Sequence, residues 1–434
     1  MTPLEVALIL FGVFAFFLIL RVPVAFALGL ACIPVFFIDD RLTPQLLLGE
    51  MLKAYNSFLL LAIPFFMLAA NLMNTAGITE KLIRLSRTLV GHLPGGLGHV
   101  SVLVSMLFAG ISGSSTAEAA GVGGVLIPAM KKQGYDTPFT VALVACAAVM
   151  GVIIPPSILM VVWGGVISVS IGGLFLAGVL PGVLMGLSLM AAVYLYAKKR
   201  GYPVYPRATW REFRQASAQA VLPILTPGII VGGIVGGLFT PTEASVVAVL
   251  YAMLLGVFVY RTLSGAELRH TLYDSARFAA IALFCIGTAS AFGWLLAYFH
   301  IPQLVVDAIS GFAGGVTSVG FITAAAFLFI GCFIDAIPAI IIVGTILAPL
   351  AHKVGMHPIH FAIIGVISIA YGLVTPPYGL CLMIACSIGG IKIKEAVRDT
   401  AILFVPMLLV LLIVILFPDL MLWLPRRLMP AYVK

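Results

Sequence analysis

The sequence predicts an all-α, polytopic membrane protein made of two inverted-topology repeats, with about ten crossings plus two re-entrant hairpins. Three observations predict it. The 434 residues are 62% hydrophobic and only 9% charged, with mean hydropathy +1.19, more apolar surface than a soluble domain can dispose of. Seven landmarks recur at a constant offset of 221 residues: Gly110 with Gly331, Ser114 with Asp335, Pro128 with Pro349, Gly134 with Gly355, Gly151 with Gly372, and Pro155-Pro156 with Pro376-Pro377. In each half, one apolar stretch is interrupted by polar residues and the next by a double proline. Internal repeats with paired helix breaks are the sequence mark of secondary transporters.

A spanning helix needs about 20 apolar residues. Crossings are expected near 4–20, 23–38, 57–75, 137–167 and 173–197, then 219–238, 241–260, 275–299, 358–390 and 400–417. The stretches 98–130 and 316–351 are each broken near the middle and read as hairpins that enter and leave on one side. The start, Met1-Thr2-Pro3-Leu4-Glu5, lacks the basic region of a signal peptide, so the first apolar run is expected to be a retained helix. Amphipathic stretches at 43–56, 78–90, 264–274 and 302–312 are candidates to lie flat at the interface.

Charge fixes the orientation. With the N-terminus outside, 18 of the 24 Lys and Arg fall inside, as the positive-inside rule requires. The C-terminal cluster Arg426, Arg427 and Lys434 is the exception. Five crossings per half invert the second repeat (216–434) relative to the first (1–215). The net charge of +8 does not indicate nucleic acid, because the basic residues sit in short loops between apolar runs. The six cysteines lie in apolar runs without a CxxC pair and read as small buried hydrophobes.

Four broken points are expected to converge: the tip Ser112-Gly-Ser-Ser-Thr116, the break Gly151 to Ser157, the tip Asp335-Ala-Ile-Pro338, and the break Gly372 to Tyr378. Proline removes an amide donor and unwinds the helix. The freed carbonyls are tolerated at membrane depth only where protein, water or an ion meets them. Half-helix C-termini suit a small cation and N-termini an anion. Against this stands the reading that Ser, Thr and Gly allow close packing and Pro only kinks.

Glu118, Glu243 and Asp335 are the intramembrane carboxylates. Asp335 serves function or caps its helix, Glu118 orients the first tip, and Glu243 complements a helix start after Thr240-Pro241-Thr242. Asn71 reads as an interhelical hydrogen-bonding group, and Gly232-Gly233 with Gly236-Gly237 as small-residue helix packing. His357 and His360 lack a carboxylate partner for a metal. An intramembrane enzyme would need clustered acids, a zinc motif or a Ser/His pair, and none is visible; no P-loop motif is present.

Gly110-Ile-Ser-Gly-Ser-Ser-Thr-Ala-Glu-Ala-Ala120, Ile154-Pro-Pro-Ser157, Gly237-Leu-Phe-Thr-Pro-Thr-Glu-Ala244, Asp335-Ala-Ile-Pro-Ala339 and Leu373-Val-Thr-Pro-Pro-Tyr-Gly379 resemble the large membrane subunit of TRAP (tripartite ATP-independent periplasmic) transporters over essentially the whole length. Leu380-Cys381-Leu382 stands where the family pattern has an Asn-containing stretch, which bears on the substrate more than on the family. The resemblance implies a non-enzymatic, multi-pass protein of the bacterial inner membrane. Its partners would be a small four-helix membrane subunit and a periplasmic substrate-binding protein that delivers an organic acid. Sodium ions would be the coupling ions, with no other cofactor, and the motion would be of the elevator type. A stand-alone carboxylate carrier is the alternative.

Carried onto this chain, the resemblance places one sodium at Ser112, Ser115, Gly151, Ile154 and Pro156, and a second at Ile337, Pro338, Gly372, Thr375 and Tyr378. The substrate would meet Ser114, Thr116, Ser157 and Asp335. No basic residue is expected inside this site.

Overall fold

The backbone breaks wherever the sequence removes an amide donor or a Cβ, and helices fill the intervals. The computed structural model describes residues 2–309, 311 and 314–430. Among the described residues all regular structure is helical. Six helices are long and apolar enough to cross a membrane, or seven with one bent pair, beside shorter apolar helices.

The first half runs α1 (Pro3–Ile19), α2 (Val24–Ile38), α3 (Pro44–Tyr55), α4 (Ala62–Thr75) and α5 (Ile78–Val90). The α4–α5 pair bends by 68° at Gly77, whose φ of +68° suits a residue without Cβ. Then come the hairpin α6 (Gly96–Ser112) and α7 (Ser115–Lys132), the broken helix α8 (Thr137–Ala148) and α9 (Ile158–Ile167), and α10 (Ile171–Arg200). The second half runs α11 (Trp210–Val235), α12 (Pro241–Leu254), α13 (Gly265–Tyr298) and α14 (Ile301–Ile309). It continues with the hairpin α15 (Val316–Gly331) and α16 (Ala336–Lys353), the broken helix α17 (Pro358–Gly372) and α18 (Leu380–Gly389), α19 (Ile393–Leu416) and α20 (Pro418–Leu428).

Hairpin and broken helix thus recur in the same order, and both double prolines contain a cis bond. The two units brace each other. The second arm of the first hairpin, α7, packs on α18, and its counterpart α16 packs on α9. A Cβ on Gly123 would lie 3.5 Å from Ile388, and one on Gly344 would lie 2.7 Å from Ile167. These two contacts are related by the same offset of 221 in both members.

The loop contacts sort into two groups. Lys131 donates to the Gly389 carbonyl, Arg200 pairs with Asp136 and Asp399, Arg84 bonds Gln219, and Lys81 lies over the Tyr260 ring. All belong to loops that charge assigns to the inside. Arg41, assigned outside, lies over Phe299, and His360, near the base of the second hairpin, meets the end of α19 through the Val414 carbonyl. The first hairpin has its base with the inner loops and the second with the outer ones, which is the inversion.

Several details depart from the sequence reading. The stretch 264–274 is not a separate interfacial helix. Ser264 and Glu267 form a capping box, and no proline follows, so α13 runs unbroken into the crossing. The crossing expected from 219 begins at Trp210, behind the Thr209–Glu212 capping box. The candidate 302–312 ends partly at residues outside those described. Among the described residues the glycines 232–237 meet no other helix: Gly233 takes the Phe239 ring that follows its own helix, and a Cβ on Gly232 or Gly237 would face no atom within 4 Å.

Candidate functional site

A cavity of about 760 Å³ lies where the two hairpin tips meet, lined by Ser114, Thr116, Asp335, Ile337 and Tyr378 among others. Each tip is tied to the break of its own half by a backbone bond. Ile158 N donates to the Gly113 carbonyl at 3.2 Å, and Tyr378 N donates to the Cys332 carbonyl at 3.0 Å. An amide one or two residues past each double proline therefore returns to the tip, and the break positions the tip.

The first tip turns at Gly113, φ +63°, where a Cβ would come within 2.9 Å of the Pro156 carbonyl. Ser114 caps α7 by accepting from Ala117 N at 3.4 Å, and its hydroxyl shares a 3.1 Å bond with Thr116. Ser112 and Ser115 are buried beneath. Gly151 is the tightest point. A Cβ there would meet Glu118 Oε2 at 2.5 Å and the Ser114 carbonyl at 3.1 Å. Glu118 is fully buried, with the Ser105 hydroxyl beside its carboxylate. Glu118 Oε2 and the Ser114 carbonyl thus crowd the Gly151 Cα, and only a residue without a side chain fits between them. Cys381, in the stretch that departs from the family pattern, lies beside Ser115 and Glu118.

The second tip is built differently. Asp335 caps α16, accepting from Ala336 N at 2.8 Å, and is half-buried at the cavity wall. Gly372 packs directly on the Gly331 backbone, which a Cβ would meet at 2.6 Å. Thr375 Oγ1 donates to the Tyr371 carbonyl at 2.9 Å, leaving its lone pairs available. Pro338 is buried in α16 and does not line the cavity, whereas Ile337 does. Ile154 and Pro156 lie in the first break, and Pro156 turns its carbonyl to the tip.

Two expectations are corrected. Ser157 does not line the cavity. It is completely buried, donates to the Val152 carbonyl at 2.6 Å and accepts from Met160 N at 3.3 Å, so its hydroxyl caps α9. A basic residue does face the site: Arg21, in the α1–α2 turn, lines the same cavity. Its φ of +61° is left-handed, and its side chain is exposed. No local sequence signal marked it, because its position between two crossings reads as topology.

Other polar groups are satisfied structurally. Glu243 closes a capping box with Thr240. Asn71 donates to Ser275 Oγ at 2.8 Å, and His357 accepts from Ile359 N. Among the described residues no group of His, Cys, Asp or Glu could hold a metal ion by itself, and the six cysteines are free and buried.

A family profile described as "Tripartite ATP-independent periplasmic transporter, DctM component" matches residues 11–420. The sialic acid TRAP transporter large permease protein SiaM of Vibrio cholerae is 36% identical over 404 residues, covering 93% of this chain and 95% of that one. The isethionate TRAP transporter permease protein DctMQ of Oleidesulfovibrio alaskensis is 37% identical over 411 residues, covering 94% of this chain and 65% of that one. Among solved structures, the Alcanivorax borkumensis YdaH transporter superposes with a TM-score of 0.61 at 13% identity, covering 88% of this chain and 90% of that one; it shares the fold. With paired hairpins, paired broken helices and a family match over nearly the full length, this multi-pass membrane chain belongs to the DctM family, the large permeases of tripartite ATP-independent periplasmic transporters.

Proposed function

We propose that this permease imports an organic anion by sodium-coupled symport, receives it from a periplasmic binding protein, and works beside a small membrane subunit. The observation that carries the reading is the single cavity shared by both hairpin tips. Capping hydroxyls at Ser114 and Thr116 and the start of α7 offer an anion hydrogen-bond donors. Arg21 adds the formal positive charge that the tips lack. Sialic acid carries a carboxylate and isethionate a sulfonate, so the relatives' named solutes share a small anionic group. Asp335 narrows the choice by repelling a second negative charge placed near its tip.

The residues present fit a cation at the first tip. The buried Glu118 carboxylate and the Ser114 carbonyl, which meet beside Gly151, with Ser112 and Ser115 and the carbonyls near Ile154 and Pro156, would hold sodium there. Thr375 with Ile337, Pro338, Gly372 and Tyr378 would form a second site made largely of neutral oxygens. Occupied sites would tie tip to break and so complete the substrate wall between them. The hairpin and broken-helix unit would then move as one body against α1–α5 and α11–α13, which is the elevator motion.

The cavity is lined by the α1–α2 turn and by Phe278 and Ile281 of α13, the segments nearest the loops that charge assigns to the cytoplasm. In this reading the structure is open inward, with Arg21 at the release side.

Uptake into proteoliposomes tests the proposal. With the small subunit present, organic acids should accumulate only with both an inward sodium gradient and the binding protein. Ser115→Ala and Thr375→Ala should each weaken the sodium dependence while leaving the folded fraction unchanged. Sodium-driven uptake without the binding protein would favour a stand-alone carrier, and unchanged sodium dependence in both variants would sink the site assignment.

A further inference from the structure

A second pocket lies away from the transport cavity, between α5, the loop before α11, and the first turns of α11. It encloses about 210 Å³ and is lined by Arg84, Arg87, Tyr205, Arg207, Glu212 and Gln219 among others. Three arginines line a space this small, and none of them makes a salt bridge among the described residues. Arg84 Nη1 donates to Gln219 Oε1 at 3.1 Å, which fixes one edge of its fork and leaves the rest free. Arg87 lies over the Tyr205 ring, 5.1 Å from its centroid. Tyr205 is itself pinned, because its amide donates to the Gly91 carbonyl at 3.1 Å. The one carboxylate, Glu212, is engaged by Thr209, accepting from its amide at 2.7 Å and its hydroxyl at 2.9 Å.

Apolar residues beside the lining ones in sequence are exposed: Trp210 at 74%, Val204 at 53% and Leu89 at 42%. The basic lining belongs to the inner loops, where anionic lipid headgroups present phosphate to the protein. Arginine forks match phosphate oxygens in pairs, and tryptophan favours the headgroup level.

We infer that the Arg84–Arg87–Arg207 pocket binds a phosphate group, supplied by the phosphodiester of an anionic phospholipid of the cytoplasmic leaflet. An occupied pocket would clamp helix α5 to the start of α11, and so tie together two parts of the frame. The exposed apolar side chains of Trp210, Val204 and Leu89 favour a lipid over a free anion, because a soluble phosphate has no acyl chains to cover them.

The test uses the full chain purified in detergent, with thermal unfolding and native mass spectrometry as readouts. The probes are phosphatidylglycerol, phosphatidylcholine and inorganic phosphate. Phosphatidylglycerol should stay bound and raise the unfolding midpoint, where phosphatidylcholine does neither. Its retention should fall about fivefold for each arginine removed in Arg87→Ala and Arg207→Ala. The pair Lys198→Ala and Lys199→Ala removes equal charge from the same side and should leave retention unchanged. Arg87→Lys with Arg207→Lys keeps the charge without the fork and should bind at an intermediate level, which covers the case in which the alanine variants do not fold. Equal retention of both lipids by the wild-type protein, or equal loss in the two lysine-to-alanine controls, would overturn the pocket. Stabilisation by inorganic phosphate as large as that by phosphatidylglycerol would overturn the lipid as its source.

Discussion

Gly151 and Gly372 occupy matched positions, yet a methyl group meets different neighbours at each. At Gly151 it meets the far end of Glu118 at 2.5 Å, and a carboxylate end can swing aside. The Ser114 backbone, 3.1 Å away, must also give by a few tenths of an ångström, so Gly151→Ala should fold with Glu118 displaced from the proposed first sodium site. The expected result is a normal elution profile in size-exclusion chromatography with uptake no longer responding to sodium. At Gly372 the methyl meets the Gly331 backbone at 2.6 Å, which no rotamer change relieves. Gly372→Ala should lose stability by about 1–3 kcal/mol, the cost of overpacking, and should show first as reduced folded yield. A Gly151→Ala variant that kept full sodium dependence would remove the first site from the glycine. Arg21 gives a separate prediction. Arg21→Gln should raise the KM for the anion about tenfold, the order expected for one charged hydrogen bond, with little change in sodium dependence. An unaltered KM would show that Arg21 does not meet the substrate.

At the scale of elements, the inner ends of α8, α10 and α19 are pinned together by polar groups. Asp136, which precedes α8, accepts from the Tyr202 hydroxyl at 2.7 Å and pairs with Arg200, while Arg200 also reaches Asp399 of α19 at 3.4 Å. The Tyr202 bond, with the Arg200 guanidinium beside it, holds the Asp136 carboxyl below its ordinary range. A carboxyl lowered in the folded state stabilises that state at pH above its unfolded value, about 3.9, and loses the contribution as pH falls through the folded value. The wild-type midpoint should therefore decline on acidification below about pH 5, and Asp136→Asn should flatten that part of the profile. Superimposable profiles for the two proteins would show that the pin carries no stability. The same scale explains which elements were legible. Hairpin breaks and double prolines were readable because they interrupt strongly apolar runs. Continuity was harder: α13 absorbs the amphipathic stretch 264–274, since amphipathicity marks an exposed face without saying whether the helix stops there. Ser157 misled for a related reason. A serine just before a new helical run serves equally as a ligand or a cap, and only the 3.3 Å bond from Met160 N decides for the cap.

For the whole molecule, the repeat is symmetric in its packing and asymmetric in its charge. The mated contacts Gly123–Ile388 and Gly344–Ile167 hold the two hairpin units in one body. The first tip, however, has Glu118 beneath it where the second half has Ala339, and the second tip carries Asp335 where the first has Ser114. An offset read from sequence reveals the symmetry, but Arg21 is brought to the cavity by tertiary packing alone and has no counterpart in the pattern. This body meets the surrounding frame where α16 packs on α13. A Cβ on Gly293 would lie 3.5 Å from Ile341 Cγ2, so the two positions are in contact and a cysteine pair there tests whether that contact must break. If transport requires the body to slide against the frame, joining them must stop it. In a background with the six native cysteines replaced, Gly293→Cys with Ile341→Cys should transport when reduced, lose uptake on oxidation and recover with a thiol reductant. Each single variant should be insensitive to oxidant. Full uptake by the cross-linked protein would mean that α13 and α16 keep their contact through the cycle, and transport would then have to proceed by local opening of the tips.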